Sequence, residues 1–305
     1  MGEILVEIMR DTVDSPLGEV GRFLGPYPSG APAIFISAVA QLGHDAKIWG
    51  GVGKDRFGEC LLNRLNSDGV DCSHINVVPG QATAVAFVAY DSSGGREFIY
   101  HIDGTPAVSA VFAAEDAPVP DYFHVMGCSL MAGDAMRPQI DKAVVLYADA
   151  GAKISFDPNI RLELLGSRSV WEVAGTVMER CSVFLPGLDE LRLFSSAHDA
   201  GDCVKELFDK FPKLEIIHLK KGKRGSEIHT RGGVIEVSIY PIEKARDIID
   251  PTGAGDSFDG AFICALAEGM TLEKAGAYAA KAGALNSVAF GPMEGSMKEI
   301  HDNIV

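Results

Sequence analysis

The chain has 305 residues, 47% of them hydrophobic and 23% charged, which excludes a disordered or collagen-like protein and suffices for a large core without disulfide or metal staples. Lys and Arg number 27 against 42 Asp and Glu, and this formal net charge of -15 argues against a wide nucleic-acid footprint. Six cysteines lie scattered with no CxxC pair, so neither a zinc knuckle nor a redox motif is expected. Along the chain, residues 2–8 alternate as a strand, although Glu3 and Glu7 within that run exclude a signal peptide. Residues 33–42 read as a helix stopped by Gly43, 46–49 as a short strand, and 56–66 as a helix with Phe57, Leu61, Leu62 and Leu65 on one face. Residues 83–90 and 96–101 are strand-like runs joined by Asp91-Ser92-Ser93-Gly94-Gly95, a hairpin expected to form a flap beside the main sheet. Strands at 122–126, 153–156, 182–185 and 216–219 alternate with helices near 134–149, 168–180 and 200–211. This alternation predicts an α/β fold with a mainly parallel sheet covered on both faces. The longest uncharged apolar stretch, residues 31–40, is too short for a membrane span, so no membrane partner is expected and the cytoplasm is the default compartment.

The stretch richest in chemistry is Asp250-Pro251-Thr252-Gly253-Ala254-Gly255-Asp256, which follows Ile248-Ile249 and opens a helix of small and apolar residues. Glycines there let the backbone approach a ligand, and a helix N-terminus offers N–H groups and a favourable dipole to an anion such as a phosphoryl group. Asp256, in the first turn, stands where a carboxylate could take the proton of an attacking hydroxyl. Gly53-Lys54 is not a P-loop, because Ile48 occupies the place of the first glycine; Gly51-x-Gly53 lacks the third glycine of a dinucleotide fingerprint, which removes a dehydrogenase reading. The eight histidines show no metal-binding spacing.

Residues 250–262 resemble the C-terminal signature of the ribokinase-like, or PfkB, carbohydrate kinases, and the likeness extends over essentially the whole chain. Ser29-Gly30-Ala31-Pro32-Ala33 and the AVAQLG run resemble the family's N-terminal glycine signature, and Gly51 to Gly58 its G-x-G-x-D-x-F-G segment. Phe156-Asp157-Pro158-Asn159-Ile160-Arg161 is similar to the D-P-N-x-R of fructokinase and ketodeoxygluconate-kinase branches, with tagatose-kinase-like members also fitting. Lys220-Lys221-Gly222-Lys223-Arg224-Gly225 stands at the nucleotide-binding K-x-G-x-x-G. The resemblance implies a single ribokinase-like domain over 1–305, three-layered α/β/α, with a small β lid from about 9–28 and 83–103. It implies an ATP-dependent kinase, with Mg2+ and in some relatives K+, that phosphorylates a primary hydroxyl of a ketose or keto-sugar acid.

By the same resemblance Asp256 is the base, and the backbone of Gly253, Ala254 and Gly255 is the anion hole. Glu7, Gly30, Ala31, Asn159 and Arg161 line the sugar site. Lys220, Gly222, Gly225 and Thr252 serve the nucleotide. Glu190 orients a Mg2+-bound water, and Asp250 with Thr252 holds a monovalent cation. Gly187 and Ile34 replace asparagines common in the family. Those two replacements are what a non-catalytic sugar- or nucleotide-binding regulator would rest on; a nucleoside kinase is the other alternative. A homodimer through the lid is also implied.

Overall fold

The computed structural model describes residues 1–92, 95–113, 118–241, 250–297 and 300. Positions 93–94 of the expected hairpin turn and 248–249 ahead of the glycine-rich turn lie outside the described residues. The main sheet has six strands in the order β12-β11-β10-β9-β8-β7: β7 (Tyr122–Met126), β8 (Lys153–Asp157), β9 (Cys181–Phe184), β10 (Ile216–Lys220), β11 (Ser226–Thr230) and β12 (Gly233–Val237). Strands β7 to β10 are parallel, and β10 to β12 form an antiparallel meander. Every residue of β9 is buried, as a strand covered on both faces requires.

The covering helices follow from capping and periodicity. In α8 (Ala200–Lys210) the Asp199 carboxylate caps the N-terminus by accepting from Gly201 N–H at 2.8 Å, and Cys203, Val204, Leu207 and Phe208 form the buried stripe. In α6 (Val170–Met178) Ser169 and Glu172 form a reciprocal capping box. Helices α1 (Ala31–Gln41), α9 (Ala254–Ala267) and α10 (Leu272–Asn286) pack together, while α4 (Met136–Asp149) packs on α6 and β8.

A second sheet of four strands has the order β2-β1-β5-β6, from β1 (Leu5–Arg10), β2 (Phe23–Ser29), β5 (Ala84–Tyr90) and β6 (Arg96–His101). The hairpin is therefore no free flap, because β5 pairs in parallel with β1 along Leu5↔Ala84 to Met9↔Val88. Its two apolar faces both find cover. Ala84, Ala86 and Val88 are buried on one side, while on the other Phe87 meets Phe23 edge-on at 5.7 Å.

The expected strand at 46–49 forms only the isolated bridge Lys47↔Asp71; β3 (Gly50–Gly53) instead pairs with β4 (Ile75–Val78). Local propensity disfavours so glycine-rich a strand, but a Cβ on Gly51 would lie 2.3 Å from the Pro106 carbonyl, so close packing decides. Asp55 then caps α2 (Arg56–Asp68), accepting from Gly58 N–H at 2.9 Å. It also takes Thr83 N–H at 2.8 Å and the Thr83 hydroxyl at 2.7 Å, which anchors the start of β5. The G-x-G-x-D-x-F-G segment thus works as scaffolding for the second sheet.

Candidate active site

The inner face of the four-stranded sheet meets the head of α9, and three of the five motifs, around Gly30, Arg161 and Asp256, contribute to the cleft between them. Glu7, Ser29, Gly30, Ala31, Ile34, Arg96, Tyr100, Arg161, Thr252, Gly253 and Asp256 line it. A larger recess of mixed polarity around Phe35, Trp49, His124 and Tyr147 contains none of the predicted site residues; burial there lowers the His124 imidazole to about 3.

Gly253 ends the turn before α9 with φ +76°, and a Cβ there would stand 2.3 Å from the Pro292 carbonyl, so both dihedral and space demand glycine. Gly255, in contrast, lies inside the helix, where a Cβ would meet open space. The left-handed position in the motif is therefore Gly253 and not Gly255. Of the three expected N–H donors, that of Ala254 is turned to the Pro251 carbonyl at 3.2 Å.

Asp256 is 8% exposed and accepts a hydrogen bond from Asn159 Nδ2 at 3.2 Å. Burial pushes its carboxyl up to about 7, helped by the nearby Asp157 and opposed by Arg161, Lys220 and Arg96. Asn159 sits at φ +39° with its N–H donating to Asp157 Oδ1 at 3.1 Å. Glu7 takes the Ser29 hydroxyl at 2.7 Å, and its other oxygen is buried without a partner among the described residues. Burial raises Glu7 to about 7, with Ser29 and Arg96 acting the other way. Gly30, at φ +103°, lets α1 start against the Glu3 carbonyl, from which a Cβ would stand 2.6 Å away. Arg161 is half-buried, 5.8 Å over the Phe98 ring; burial disfavours its charge, yet Cys128, Tyr100 and Asp256 raise its pKa overall.

Several predicted residues also have partners within the chain. Both Glu190 carboxylate oxygens accept backbone N–H groups, from Ile160 and Gly187, each at 2.8 Å, so Glu190 holds the turn after β8 to the start of α7 (Leu188–Leu193). Lys220 Nζ binds Asp157 at 3.0 Å and Asp259 at 2.9 Å. Asp250 is engaged from three sides, by Tyr90 Oη at 3.0 Å, Thr252 N–H at 2.9 Å and Gly291 N–H at 3.0 Å, and the Tyr90 hydroxyl also meets Thr252 Oγ1. Gly222 opens a short 3-10 turn after β10 and Gly225 follows it, both with positive φ, and neither lines the cleft. Sequence reasoning assigned no role to Ser29, Tyr90, Arg96, Tyr100, Asp157 or Asp259. Two-residue spacing in Arg96-x-Phe98-x-Tyr100 was the available signal for one cleft-facing row.

Comparison with known proteins identifies the family. The model of the pfkB family of carbohydrate kinases matches residues 2–298. Fructokinase-1 of Zea mays is 31% identical over 277 residues, covering 86% of this chain and 80% of that protein. Among solved structures, an E. coli protein provisionally assigned as Ribokinase II, in complex with ATP and Mg2+, superposes with TM-score 0.87 at 36% identity, covering 98% and 96% of the two chains. Fructokinase from Vibrio cholerae O395, bound to fructose, ADP and calcium, gives TM-score 0.80 at 25% identity over 96% and 93%. No helix among the described residues is long and apolar enough to cross a membrane. With its family model matched almost end to end, this chain belongs to the pfkB family of carbohydrate kinases.

Proposed function

We propose that the protein transfers the γ-phosphate of ATP to a primary hydroxyl of a ketose of the fructose or tagatose type, or of a keto-sugar acid. The observation that carries this reading is the Asp256 carboxyl at the head of α9, poised near neutrality and opening onto a cleft with Glu7, Arg96 and Arg161. Fructokinases recur among the relatives, one with fructose bound, which supports a ketose.

In this reading the sugar hydroxyl approaches Asp256, which takes its proton as the oxygen attacks phosphorus. Asn159 holds the carboxylate in place at 3.2 Å. The N–H groups of Gly253 and Gly255 and the dipole of α9 stabilise the charge building on the transferred group. Arg96 and Arg161 offset the negative charge of the cleft, and the free oxygen of Glu7 accepts from sugar hydroxyls. Closure of the four-stranded sheet excludes water from the γ-phosphate.

Among the described residues, no cluster of three or more His, Cys, Asp or Glu could cage a metal. The donors therefore fit a Mg2+ carried chiefly by the nucleotide phosphates, which would supply charge neutralisation there. Each Glu190 oxygen keeps a second lone pair for a metal-bound water. Asp250 Oδ1 takes both the Tyr90 hydroxyl and the Thr252 N–H, whereas Oδ2 accepts the Gly291 N–H and keeps a lone pair with which it would hold a monovalent cation beside Thr252; no step runs through K+. The lid's outer face, with Phe23, Leu24 and Ile99 partly exposed, supports a homodimer through the lid, to be checked by sedimentation.

The test is ADP release from the purified protein with ATP, Mg2+ and a panel of ketoses, aldoses, keto-sugar acids and nucleosides. Turnover confined to aldoses or nucleosides overturns the substrate class; an absence of turnover with every sugar favours a non-catalytic binding protein.

A further inference from the structure

Lys220 lies on β10, and its ammonium is held between two buried carboxylates from different motifs, Asp157 at the end of β8 and Asp259 in the second turn of α9. Both acids are shielded, Asp157 with 4% and Asp259 with 0% of the side chain exposed. Asp157 also accepts the Asn159 N–H at 3.1 Å, and Asn159 Nδ2 donates to Asp256 Oδ1 at 3.2 Å. A continuous chain of contacts thus runs from the Lys220 ammonium to the carboxylate proposed as the base. Two of the three donors of the ammonium are thus committed to Asp157 and Asp259, which fixes the direction of the side chain toward the acids.

We infer that Lys220 is a positioning residue for Asp256 rather than a nucleotide ligand, clamping Asp157 to Asp259 so that Asn159 presents its amide to the base. This rests on the reading of Asp256 given above. The two acids respond differently to their surroundings: burial pushes Asp259 well up against the pull of Lys220, whereas Asp157, despite burial, is held below its ordinary value chiefly by Lys220. Asp256 is faced by Asp157 from β8, Arg161 from the segment after it, Lys220 from β10, Arg96 from β6 and the Cys128 thiol from α3 (Gly127–Met131); Glu7 of β1 lines the same cleft.

The test is steady-state kinetics of Lys220→Met, varying ATP and sugar over a pH series. The expected result is KM for ATP within about 3-fold of wild type and kcat lower by about 10- to 100-fold, the scale of a misplaced catalytic group. The acid limb of kcat/KM should move to higher pH, because a cation that favours ionised Asp256 is gone. Lys220→Arg, which keeps the charge, should recover part of kcat. A rise of about 10-fold or more in KM for ATP with kcat and the acid limb unchanged would overturn the inference.

Should Lys220→Met fail to fold, the side-chain 15N ammonium signal of Lys220 in wild-type protein decides. Saturation with Mg2+ and a non-hydrolysable ATP analogue should leave it unshifted, and a shift beyond those of remote lysines refutes the assignment. Asp256→Asn separates the two readings: an active Asp256→Asn removes the base itself, whereas an inactive one beside a nucleotide-binding phenotype for Lys220→Met removes only the inference about Lys220.

Discussion

Replacing Asp256 by asparagine should separate catalysis from stability in opposite directions. Asparagine preserves size, and its amide oxygen can still accept from Asn159 Nδ2, so the local packing survives. Loss of the base should lower kcat by at least about 10²-fold, or about 2.7 kcal/mol of barrier. The carboxyl is raised by burial from 3.8 to about 7 in the folded protein. An acid with a raised folded pKa binds more protons in the native than in the unfolded state, so its contribution to stability declines as pH rises from the unfolded value to the folded one. Three pKa units correspond to about 4 kcal/mol, an upper bound that asparagine's own desolvation reduces to about 1–2 kcal/mol. Asp256→Asn should therefore melt about 2–4 °C higher than wild type at pH 8, with the gap closing towards pH 4. Coupled ADP-release kinetics and thermal melts across pH 4–8.5 measure both. Retained kcat would refute the base assignment. A variant less stable than wild type at pH 8 would refute the account of a costly buried carboxylate.

Gly253→Ala should reduce both activity and stability, since its Cβ would press on the Pro292 carbonyl at 2.3 Å and left-handed alanine costs about 1–2 kcal/mol; kinetics with a thermal melt checks it, and an unchanged melting temperature would contradict the geometry. Tyr90→Phe removes the hydroxyl joining β5 to Asp250 and Thr252. It should raise sugar-independent ATP hydrolysis relative to sugar phosphorylation by about 3-fold or more, if that contact keeps the sheet over the anion site as water exclusion requires; an unchanged ratio argues against such coupling. Arg161→Ala should raise KM sharply for a keto-sugar acid and act mainly on kcat for a neutral ketose, and equal kinetics on both would return Arg161 to a purely structural place beside Phe98.

Strand–helix alternation, the turn before α9 and the order of the glycine-rich segments were all legible in the chain. Each depends on local periodicity or on backbone demands that particular residues meet, as at Gly30 and Gly253. Tertiary packing decided the rest. Ala46–Trp49 and Gly50–Gly53 exchanged roles because only glycines fit against Pro106 and Ile4, a constraint invisible to propensity. The hairpin became half of a four-stranded sheet because β1 lay free to pair with β5, a contact between segments far apart in sequence. Lys220, Glu190 and Asp250 were recognisable as polar groups in meaningful motifs, but not by their partners. Whether an ammonium meets a phosphate or two buried aspartates depends on which strands and helices bring charges within about 3 Å, and neighbouring residues in the chain do not encode that distance.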